Sequence, residues 1–414
     1  FRRVLFRSKN NMIINFTVGN YRSFKDKKVL SMEATAIKEL NESVIEKEGY
    51  RLLPSAVIYG ANSSGKSNFL KAIGKFGEIV NYSSKMSSTD KLNITPFLLN
   101  QNSTQEPSFF EIEILIDNQT YTYGFTADNL KVYEEWLYIK EGKAKKEKCL
   151  FVRTEEGIGI ADEYNEGKGL EEKVRDNGLF LSTIDSFNGE IAKKIIHKID
   201  CIWVISGIDH ESWSVFTNDM CNNKNPELSF QQEIQDFLKS MNVGFNRFEL
   251  PEDEKLAKEV KAYTIHNLYN EQEEVIGETR FSMKEHESSG TNKLFDLAAL
   301  VIGQLALGGL LVIDELDSKL HPLLTQHIIK LFNNPKTNPK GAQLIFATHD
   351  TNLLNVKTFR RDQIWFTEKD HSEATDLYSL AEFREPEGNK IRKDRSFEKD
   401  YINGRYGAIP YIKD

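Results

Sequence analysis

Apolar and polar residues alternate over much of the first 160 residues, and this period of two is typical of β-strands with one buried face. The segments "SFFEIEILID" and "TYTYGFTA" are separated by the turn pair Asp117-Asn118 and therefore predict a β-hairpin. A polar, glycine-containing stretch from Gly157 to Gly169 predicts a loop. Further strands are predicted at "IINFTV", "VLSMEA", "AVIYG", "VYEEWLYIK" and "CLFVRT".

Between about Leu179 and Leu250 the pattern becomes helical, with apolar residues recurring every three or four positions. The clearest segments are "FNGEIAKKIIHKI" and "PELSFQQEIQDFLKSM". The sequence lacks the sustained heptads that a long coiled coil requires. We therefore interpret residues 179–265 as an inserted helical lobe.

From Phe281 onward the sequence predicts one long helix and several buried strands. "HESSGTNKLFDLAALVIGQLA" is typical of a loop followed by an amphipathic helix, which Gly308-Gly309 ends. The runs "LLVIDE", "AQLIFATHD" and "DQIWFTEKD" are typical of strands covered on both faces, as in a parallel sheet. The pattern thus predicts an α/β fold with a β-rich N-terminal lobe, a core parallel sheet and the inserted helical lobe.

The composition favours a globular protein without a membrane segment. The 414 residues, 39% of them hydrophobic, suffice for one large or two ordinary domains. The longest apolar stretch, residues 294–313, is interrupted by polar residues and glycines, whereas a membrane helix needs about 18 apolar residues in a row. Cys149, Cys201 and Cys221 form no C-x-x-C pair and indicate neither disulfides nor zinc, so we expect a cytoplasmic location.

The net charge of -8 argues against a protein that coats nucleic acid with a uniformly basic surface. Two local basic clusters, residues 143–148 and 390–395, predict solvated faces, and local contact with nucleic acid stays open as the alternative. The first eleven residues, "FRRVLFRSKNN", lack the apolar core of a signal peptide and resemble a translated sequencing adapter. We therefore expect Met12 to be the native start.

The stretch "GANSSGKS" lies between a predicted strand and a predicted helix. The spacing Gly-x-x-x-x-Gly-Lys-Ser turns backbone N–H groups toward one point, which favours a phosphate, although a plain turn is the alternative. Lys66 is predicted to reach the β- and γ-phosphates of ATP, and the hydroxyl of Ser67 to coordinate Mg²⁺. The predicted nucleotide-binding residues are Gly60, Asn62, Ser63, Ser64, Gly65, Lys66 and Ser67.

An acidic pair, Asp314-Glu315, ends one predicted strand, and His349 ends another. At the carboxyl edge of a parallel sheet, Asp314 is predicted to support Mg²⁺ and Glu315 to activate the attacking water. A lone histidine is more often structural, but beside this pair His349 is predicted to contact the γ-phosphate or hold the water. Together with Lys66, Glu315 and His349 are the predicted catalytic residues.

A second anion site is predicted at Ser288, Ser289 and Gly290, which open the long helix. The "GANSSGKS" stretch, a P-loop, already covers the phosphates of the nucleotide that its own chain would bind. A second site of this kind is useful if it serves the nucleotide of another subunit, so we predict that these residues act in trans.

In chain order, the P-loop, the Ser-x-Gly signature, the Asp-Glu pair, the Asp-loop and the switch histidine resemble the motif set of ABC-type ATPase heads. "NYRSF", Asn20 to Phe24, and "DELDSKLHP" are similar to the RecF/SMC-like branch. "DQIWFTEKD" and "EKDYINGRYGAIP" resemble stand-alone ATPases of bacterial anti-phage loci, such as the RloA group and the ATPase subunit of PARIS-type systems. The usual signature is Leu-Ser-Gly-Gly-Gln, and here Glu287 and Ser289 replace its leucine and first glycine. Gln101 and Gln105 are the two candidates for the Q-loop glutamine, and the sequence does not decide between them.

The resemblance implies slow ATP hydrolysis by a homodimer or higher homo-oligomer, in which two copies associate head to tail around two ATP·Mg. It further implies a sensor and scaffold ATPase of an anti-phage, abortive-infection system that controls a separately encoded effector, a toxin or nuclease. About 65 residues follow His349, too few for the Toprim nuclease domain of related fused proteins. The alternative is a RecF-like DNA-maintenance ATPase that binds DNA directly.

The predicted organisation has five parts. They are a non-native leader (1–11), an N-terminal ATPase lobe (12–178), the helical lobe (179–265), a C-terminal ATPase lobe (266–380) and a tail (381–414). Residues 382–414 either dock a partner or pack on the head, and the sequence leaves both open.

Overall fold

A computed structural model of the chain describes residues 11–209, 213–222, 229–252, 254–384 and 395–410. Residues 1–10 of the predicted leader and residues 390–394 of the second basic cluster lie outside these ranges.

The first 160 residues are mostly strands, with the α-helix Lys66–Tyr82 among them, and helices and strands are mixed from residue 180 onward. The strands are β1 (Met12–Gly19), β2 (Lys28–Ser31), β3 (Ile45–Lys47), β4 (Tyr50–Leu52), β5 (Ser55–Tyr59), β6 (Ser108–Ile116), β7 (Gln119–Ala127), β8 (Val132–Glu141), β9 (Lys148–Thr154), β10 (Gly157–Ile160), β11 (Ile202–Ser206), β12 (Arg247–Glu249), β13 (Tyr263–Tyr269), β14 (Val275–Ser282), β15 (Leu310–Asp314), β16 (Gln343–Ala347), β17 (Ile364–Lys369) and β18 (Thr375–Ser379). The helices are α1 (Lys66–Tyr82), α2 (Phe180–Ser186), α3 (Glu190–Asp200), α4 (Trp213–Cys221), α5 (Gln231–Ser240), α6 (Glu254–Val260), α7 (Met283–His286), α8 (Ser289–Leu307), α9 (Pro322–Asn333) and α10 (Phe397–Ile402).

An antiparallel seven-stranded sheet, in the order β10-β9-β8-β7-β6-β1-β2, forms the β-rich lobe. Strands β6 and β7 pair as the predicted hairpin, with Asp117 at φ 57° in the turn between them. Strand β10 begins at Gly157 and pairs with β9, so the first residues of the predicted loop 157–169 are instead a short edge strand. Glycine-rich edge strands bury little apolar surface, which is why the alternation was too weak to indicate this one.

The core sheet has six strands in the order β11-β15-β16-β5-β17-β18. The first five are parallel, and β18 is antiparallel to β17. Every residue of β5 and β16 is buried, which confirms a parallel sheet covered on both faces. Strand β5 lies between β16 and β17, so the loop that follows it emerges near the middle of the sheet.

The segment 179–265 differs from the predicted helical lobe, because β11 lies within it. This strand pairs with β15 from Ile202 to Ser206 and forms the edge of the core sheet. Its partner is about 100 positions away in the sequence, so the local pattern of five residues between two helices could not indicate it. The predicted boundary at residues 265–266 also falls inside β13.

Helix α1 anchors the core sheet to the β-rich lobe. Phe69 and Phe76 pack edge-on against Phe16, and Phe76 stacks on Phe125 at 5.6 Å between ring centroids. Because α1 begins at Lys66, this packing fixes the position at which the "GANSSGKS" loop enters the helix.

Helix α8 confirms the long helix predicted after "HESSGT". Ser288 caps its first turn, and Gly308 ends it in the left-handed conformation at φ 69°.

Between the two alternatives for the tail, residues 395–410 pack on the head. Tyr406 is buried, and Tyr401 stacks on Phe366 of β17 at 5.5 Å. Its ring also lies 5.7 Å from that of Tyr59.

Candidate functional site

Lys66 lies buried at the start of α1, with only 6% of its surface exposed. Its Nζ donates to the carbonyl oxygens of Gly60, at 2.7 Å, and Ala61, at 3.1 Å. Burial lowers the pKa of Lys66 to about 8, and the charges of Asp314 and Glu315 oppose that shift. An ammonium held by carbonyls of its own loop has its charge only partly compensated, so a phosphate would be a stronger partner.

The loop around Lys66 leaves room only for glycine at two positions. At Gly60 a Cβ would come within 2.5 Å of the hydroxyl oxygens of Ser64 and Thr367. Gly65 has φ 114°, and a Cβ there would overlap the side chain of Thr375. The backbone of residues 60–67 is therefore closely enclosed, which keeps its N–H groups in one arrangement.

Three hydroxyl residues, which we call the loop clamp, hold this arrangement from outside: Ser23, Thr367 and Thr375. Thr367 Oγ1 lies 2.6 Å from Ser64 Oγ, and Thr375 Oγ1 donates to the Ser64 carbonyl at 2.9 Å. Ser23 Oγ accepts from Asn68 Nδ2 at 2.9 Å and lies 2.8 Å from Thr375 Oγ1.

The sequence assigned no role to the loop clamp. Thr367 and Thr375 lie some 300 positions after the loop that they hold, and no local pattern marks them. Ser23 belongs to "NYRSF", so its position in that motif was the only signal.

The ends of three neighbouring strands bring the predicted catalytic residues together. Strand β16 lies between β5 and β15, and adjacent strands are about 4.8 Å apart. Their carboxyl ends lead into the Lys66 loop, His349 and the pair Asp314-Glu315. The pKa of His349 is lowered by lost hydration and by the charge of Lys66, which keeps the imidazole neutral at pH 7.

The residues Asp314, Glu315 and Asp317, which we call the acidic edge, have oxygens that fit a hard divalent cation. The Oδ1 atoms of Asp314 and Asp317 are buried and accept no hydrogen bond from the protein. Ser67 is half-buried in the first turn of α1. Mg²⁺ prefers oxygen ligands and keeps several waters, so this donor set fits it once phosphate oxygens complete the shell. In the described part of the chain, no three His, Cys, Asp or Glu side chains form a metal site by themselves.

Lys293 and Gly207 hold the turn that carries Glu315. Lys293 Nζ donates to the carbonyl oxygens of Leu316, at 2.9 Å, and Ser318, at 2.7 Å, and also to that of Glu315. Gly207 N donates to the Asp314 carbonyl at 2.6 Å. Glu315 itself has φ 54°, which is uncommon for a non-glycine residue and indicates a constrained position.

These two residues were missed in the sequence. For Lys293 a signal existed, because a lysine stands within an otherwise apolar helix, where a charge must find polar partners. Burial lowers the pKa of Lys293 to about 8.

The signature residues lie at the start of α8. Ser288 and Ser289 are exposed at the N-terminus of α8, where Ser288 Oγ accepts from Thr291 N at 3.1 Å. Gly290 approaches the carbonyl of Lys319, since a Cβ there would lie 2.9 Å from that oxygen. The start of α8 is therefore open to solvent at Ser288 and Ser289.

The other predicted residues lie at the periphery. Asn62 and Ser63 are exposed at the tip of the phosphate loop, and Ser63 has φ 64°. The Q-loop candidates Gln101 and Gln105 are also exposed, and Gln105 hydrogen-bonds its neighbour Thr104.

The glycine-rich loop between the central strand and a buried helix, with carboxylates at the neighbouring strand end, defines an α/β P-loop domain of the ATPase class. Residues 55–355 match the family described as "AAA domain, putative AbiEii toxin, Type IV TA system". Because this match covers well over half of the chain, the chain belongs to that family.

Solved structures of SMC heads align with 89% of the chain. The SMC head domain from Thermotoga maritima is 12% identical, with a TM-score of 0.41 over 98% of its length. The Smc head from Pyrococcus furiosus, with an extended coiled coil and bound to the C-terminal domain of ScpA, is 11% identical, with a TM-score of 0.41 over 96% of its length. No curated protein matches the chain. Within the described residues, no helix combines the length and apolarity needed to cross a membrane.

Proposed function

We propose that this chain binds ATP with Mg²⁺ and hydrolyses it to ADP and phosphate. The observation that carries this proposal is the position of Lys66, buried on its own loop carbonyls across from the unpartnered carboxylates of the acidic edge. A triphosphate would exchange these weak contacts for charge-assisted ones, because phosphate oxygens are stronger acceptors than carbonyls.

Each residue of the site has a distinct part in the proposed reaction. The loop N–H groups and Lys66 hold the phosphates, and Ser67 and Asp314 are the ligands for Mg²⁺, which would neutralise charge on the phosphate oxygens. Glu315 takes a proton from the attacking water, and neutral His349 donates a hydrogen bond to the γ-phosphate or the water. Lys293 keeps the turn of Glu315 in place.

We infer that the reaction takes place between two copies. Ser288 and Ser289 are exposed at a helix N-terminus, and Gly290 beside them is half-buried. A second copy turned head to tail would bring these residues to the γ-phosphate of the first. Hydrolysis would remove the charge that joins the two copies and loosen the pair.

Replacing the proposed base should trap this dimer. Glu315→Gln should abolish turnover and leave a stable dimer in ATP·Mg, whereas Lys66→Ala should stay monomeric because it binds ATP poorly. Sedimentation velocity with and without ATP, beside a phosphate-release assay, measures both effects. A Glu315→Gln protein that remains monomeric in saturating ATP contradicts the sandwich.

We propose further that the ATPase acts in an anti-phage system, as the sensor and scaffold for a separately encoded effector. The family description names a putative AbiEii toxin and a type IV TA system, which supports a role in such a locus. The outer face of the seven-stranded sheet also favours a protein partner over DNA. Glu113 pairs there with Lys140 at 2.7 Å, and Glu111 accepts from Trp136 Nε1 at 2.8 Å, so carboxylates occupy the middle of this face.

Phage plating tests the biological role. Cells that carry the whole native locus should restrict at least some phages, and Lys66→Ala or Glu315→Gln should abolish that protection. If the wild-type locus protects against no member of a broad panel, and duplex DNA stimulates ATP turnover in a salt-sensitive way, the chain is instead a RecF-like DNA-maintenance ATPase.

A further inference from the structure

Strands β13 and β14 form a hairpin ribbon, which β12 joins at its base, and the ribbon leads directly into the signature. After β14 ends at Ser282, only the short helix α7 and Glu287 precede Ser288. Glu287 Oε1 accepts from His266 Nε2 at 2.8 Å and from Thr264 Oγ1 at 2.7 Å, and both donors belong to β13. The ribbon and the signature loop are therefore joined by side-chain hydrogen bonds.

The far end of this ribbon, which we call the ribbon tip, comprises residues 268–276. Four large apolar side chains there are between 46 and 61% exposed: Leu268, Tyr269, Val275 and Ile276. The turn between them carries Glu271, Glu273 and Glu274, and Asn270 Oδ1 holds it by accepting from two backbone N–H groups of the turn. An apolar cluster with a charged rim is typical of a protein contact surface.

A surface of opposite character lies beside the phosphate loop. The segment Arg22 to Lys28, here called the basic loop, carries four cationic side chains and one aspartate. Its Ser23 belongs to the loop clamp and so connects the basic loop to the Lys66 loop. The segment Thr95–Leu99 is joined to the basic loop through the bond from Arg22 N to the Thr95 carbonyl at 2.9 Å, and it presents Leu98 and Leu99, each 61% exposed.

We propose that the ribbon tip of one copy docks on the basic loop and Leu98-Leu99 of a second copy. This inference rests on the proposed sandwich, in which the signature of one copy meets the phosphate loop of the other. The ribbon is joined to the signature and the basic loop to the phosphate loop, so the same association brings both surfaces together. Glutamates then face lysines, and apolar side chains face the two leucines.

The contact adds a part of the interface that does not depend on the γ-phosphate. Apolar burial and the acidic-to-basic pairing remain after hydrolysis, whereas the signature contact is lost with the phosphate. The ribbon tip therefore sets which chains associate, and ATP sets how tightly they do so.

The apolar part is tested in the Glu315→Gln background. Ile276→Asp should raise the dimer dissociation constant in ATP·Mg by about tenfold or more, because a charge replaces a buried apolar contact. Its affinity for ATP, measured with a fluorescent analogue, should not change. Phe187→Asp, a comparably exposed residue at the end of α2, is the matched control and should dimerise normally.

A charge exchange identifies the partner surface. Lys25→Glu with Lys27→Glu should weaken the dimer, and Glu271→Lys with Glu273→Lys should weaken it as well. All four changes in one chain should restore it, because each new charge again meets its opposite. Dimers that Ile276→Asp leaves intact, or a fourfold variant without recovery, overturn this proposal alone; a Glu315→Gln protein that never dimerises overturns the sandwich and this proposal together.

Discussion

Lys66 is a buried charged side chain in the phosphate loop. Its ammonium has lost most of its water and is bound only by neutral carbonyls of its own loop, which lowers its pKa to about 8. A bound triphosphate would favour the charged form. ATP binding and proton binding are therefore linked at this residue in alkaline solution.

This linkage predicts proton uptake when ATP binds. At pH 8 about half of the free Lys66 side chains are neutral, so binding should take up roughly half a proton per site, and ATP affinity should fall as the pH rises above 8. Calorimetric titration at pH 8 in two buffers of different ionisation enthalpy measures the uptake. Lys66→Arg is the control, because a guanidinium stays charged throughout and should show no uptake. Wild-type binding without proton uptake contradicts the assigned role of Lys66.

Prediction from sequence was strongest for residues whose partners are near in the chain. "GANSSGKS", the Asp314-Glu315 pair and Ser288 each combine a short spacing with a strand end or helix start, and the structure places each at such an element boundary. The residues that hold them were not predictable in the same way. Thr375 holds Ser64 across some 300 positions, and Gly207, which bonds Asp314, directly follows a strand that the local pattern did not indicate.

At the scale of elements, the C-terminal helix α10 supports the loop that follows His349. Tyr401 packs against Phe366 and Tyr59, and its hydroxyl donates to the Ala408 carbonyl at 3.1 Å. The Tyr59 hydroxyl in turn donates to the carbonyl of Asp350, the residue after His349, at 3.0 Å. One aromatic cluster thus connects the tail with the residue that follows His349.

Removing this ring should affect both stability and turnover. Tyr401→Ala should lower the free energy of unfolding by about 3 kcal/mol, since a buried aromatic ring leaves a cavity. Because Tyr59 loses one packing partner, we also expect kcat to fall more than ATP affinity. Urea unfolding and steady-state kinetics measure the two effects. Ile402→Ala, at the exposed neighbouring position, is the control, and equal behaviour of the two variants contradicts this account.

Elements with a long repeating pattern were predictable, and elements defined by distant partners were not. The β6–β7 hairpin and α8 follow from their own residues, through alternation and turn chemistry in one and a cap and a terminal glycine in the other. Strand β11 exists because β15 offers it an edge, and such an edge is a property of the folded sheet. Its short apolar run was therefore assigned to the helical surroundings.

At the scale of the whole molecule, both sheets help to position the residues of the site. The core sheet aligns the phosphate loop, His349 and the acidic pair along one edge, while the seven-stranded sheet buries the apolar face of α1. The overall α/β class was predictable, because β-rich and parallel-sheet patterns occupy different parts of the sequence. How the two sheets meet depends on α1, which each sheet contacts through different side chains.

The order of strands in the core sheet also determines when the phosphate loop can take its final shape during synthesis. Among the described residues, strand β5 pairs with β16 and β17, whose residues are translated about 290 to 310 positions later. At about 5–20 residues per second, the ribosome needs roughly tens of seconds to deliver them. Until then the phosphate loop has neither its flanking strands nor Thr367 and Thr375 to hold its shape. The proposed binding of nucleotide, and the proposed pairing of copies that depends on it, should therefore begin only after Thr375 has been synthesised and folded.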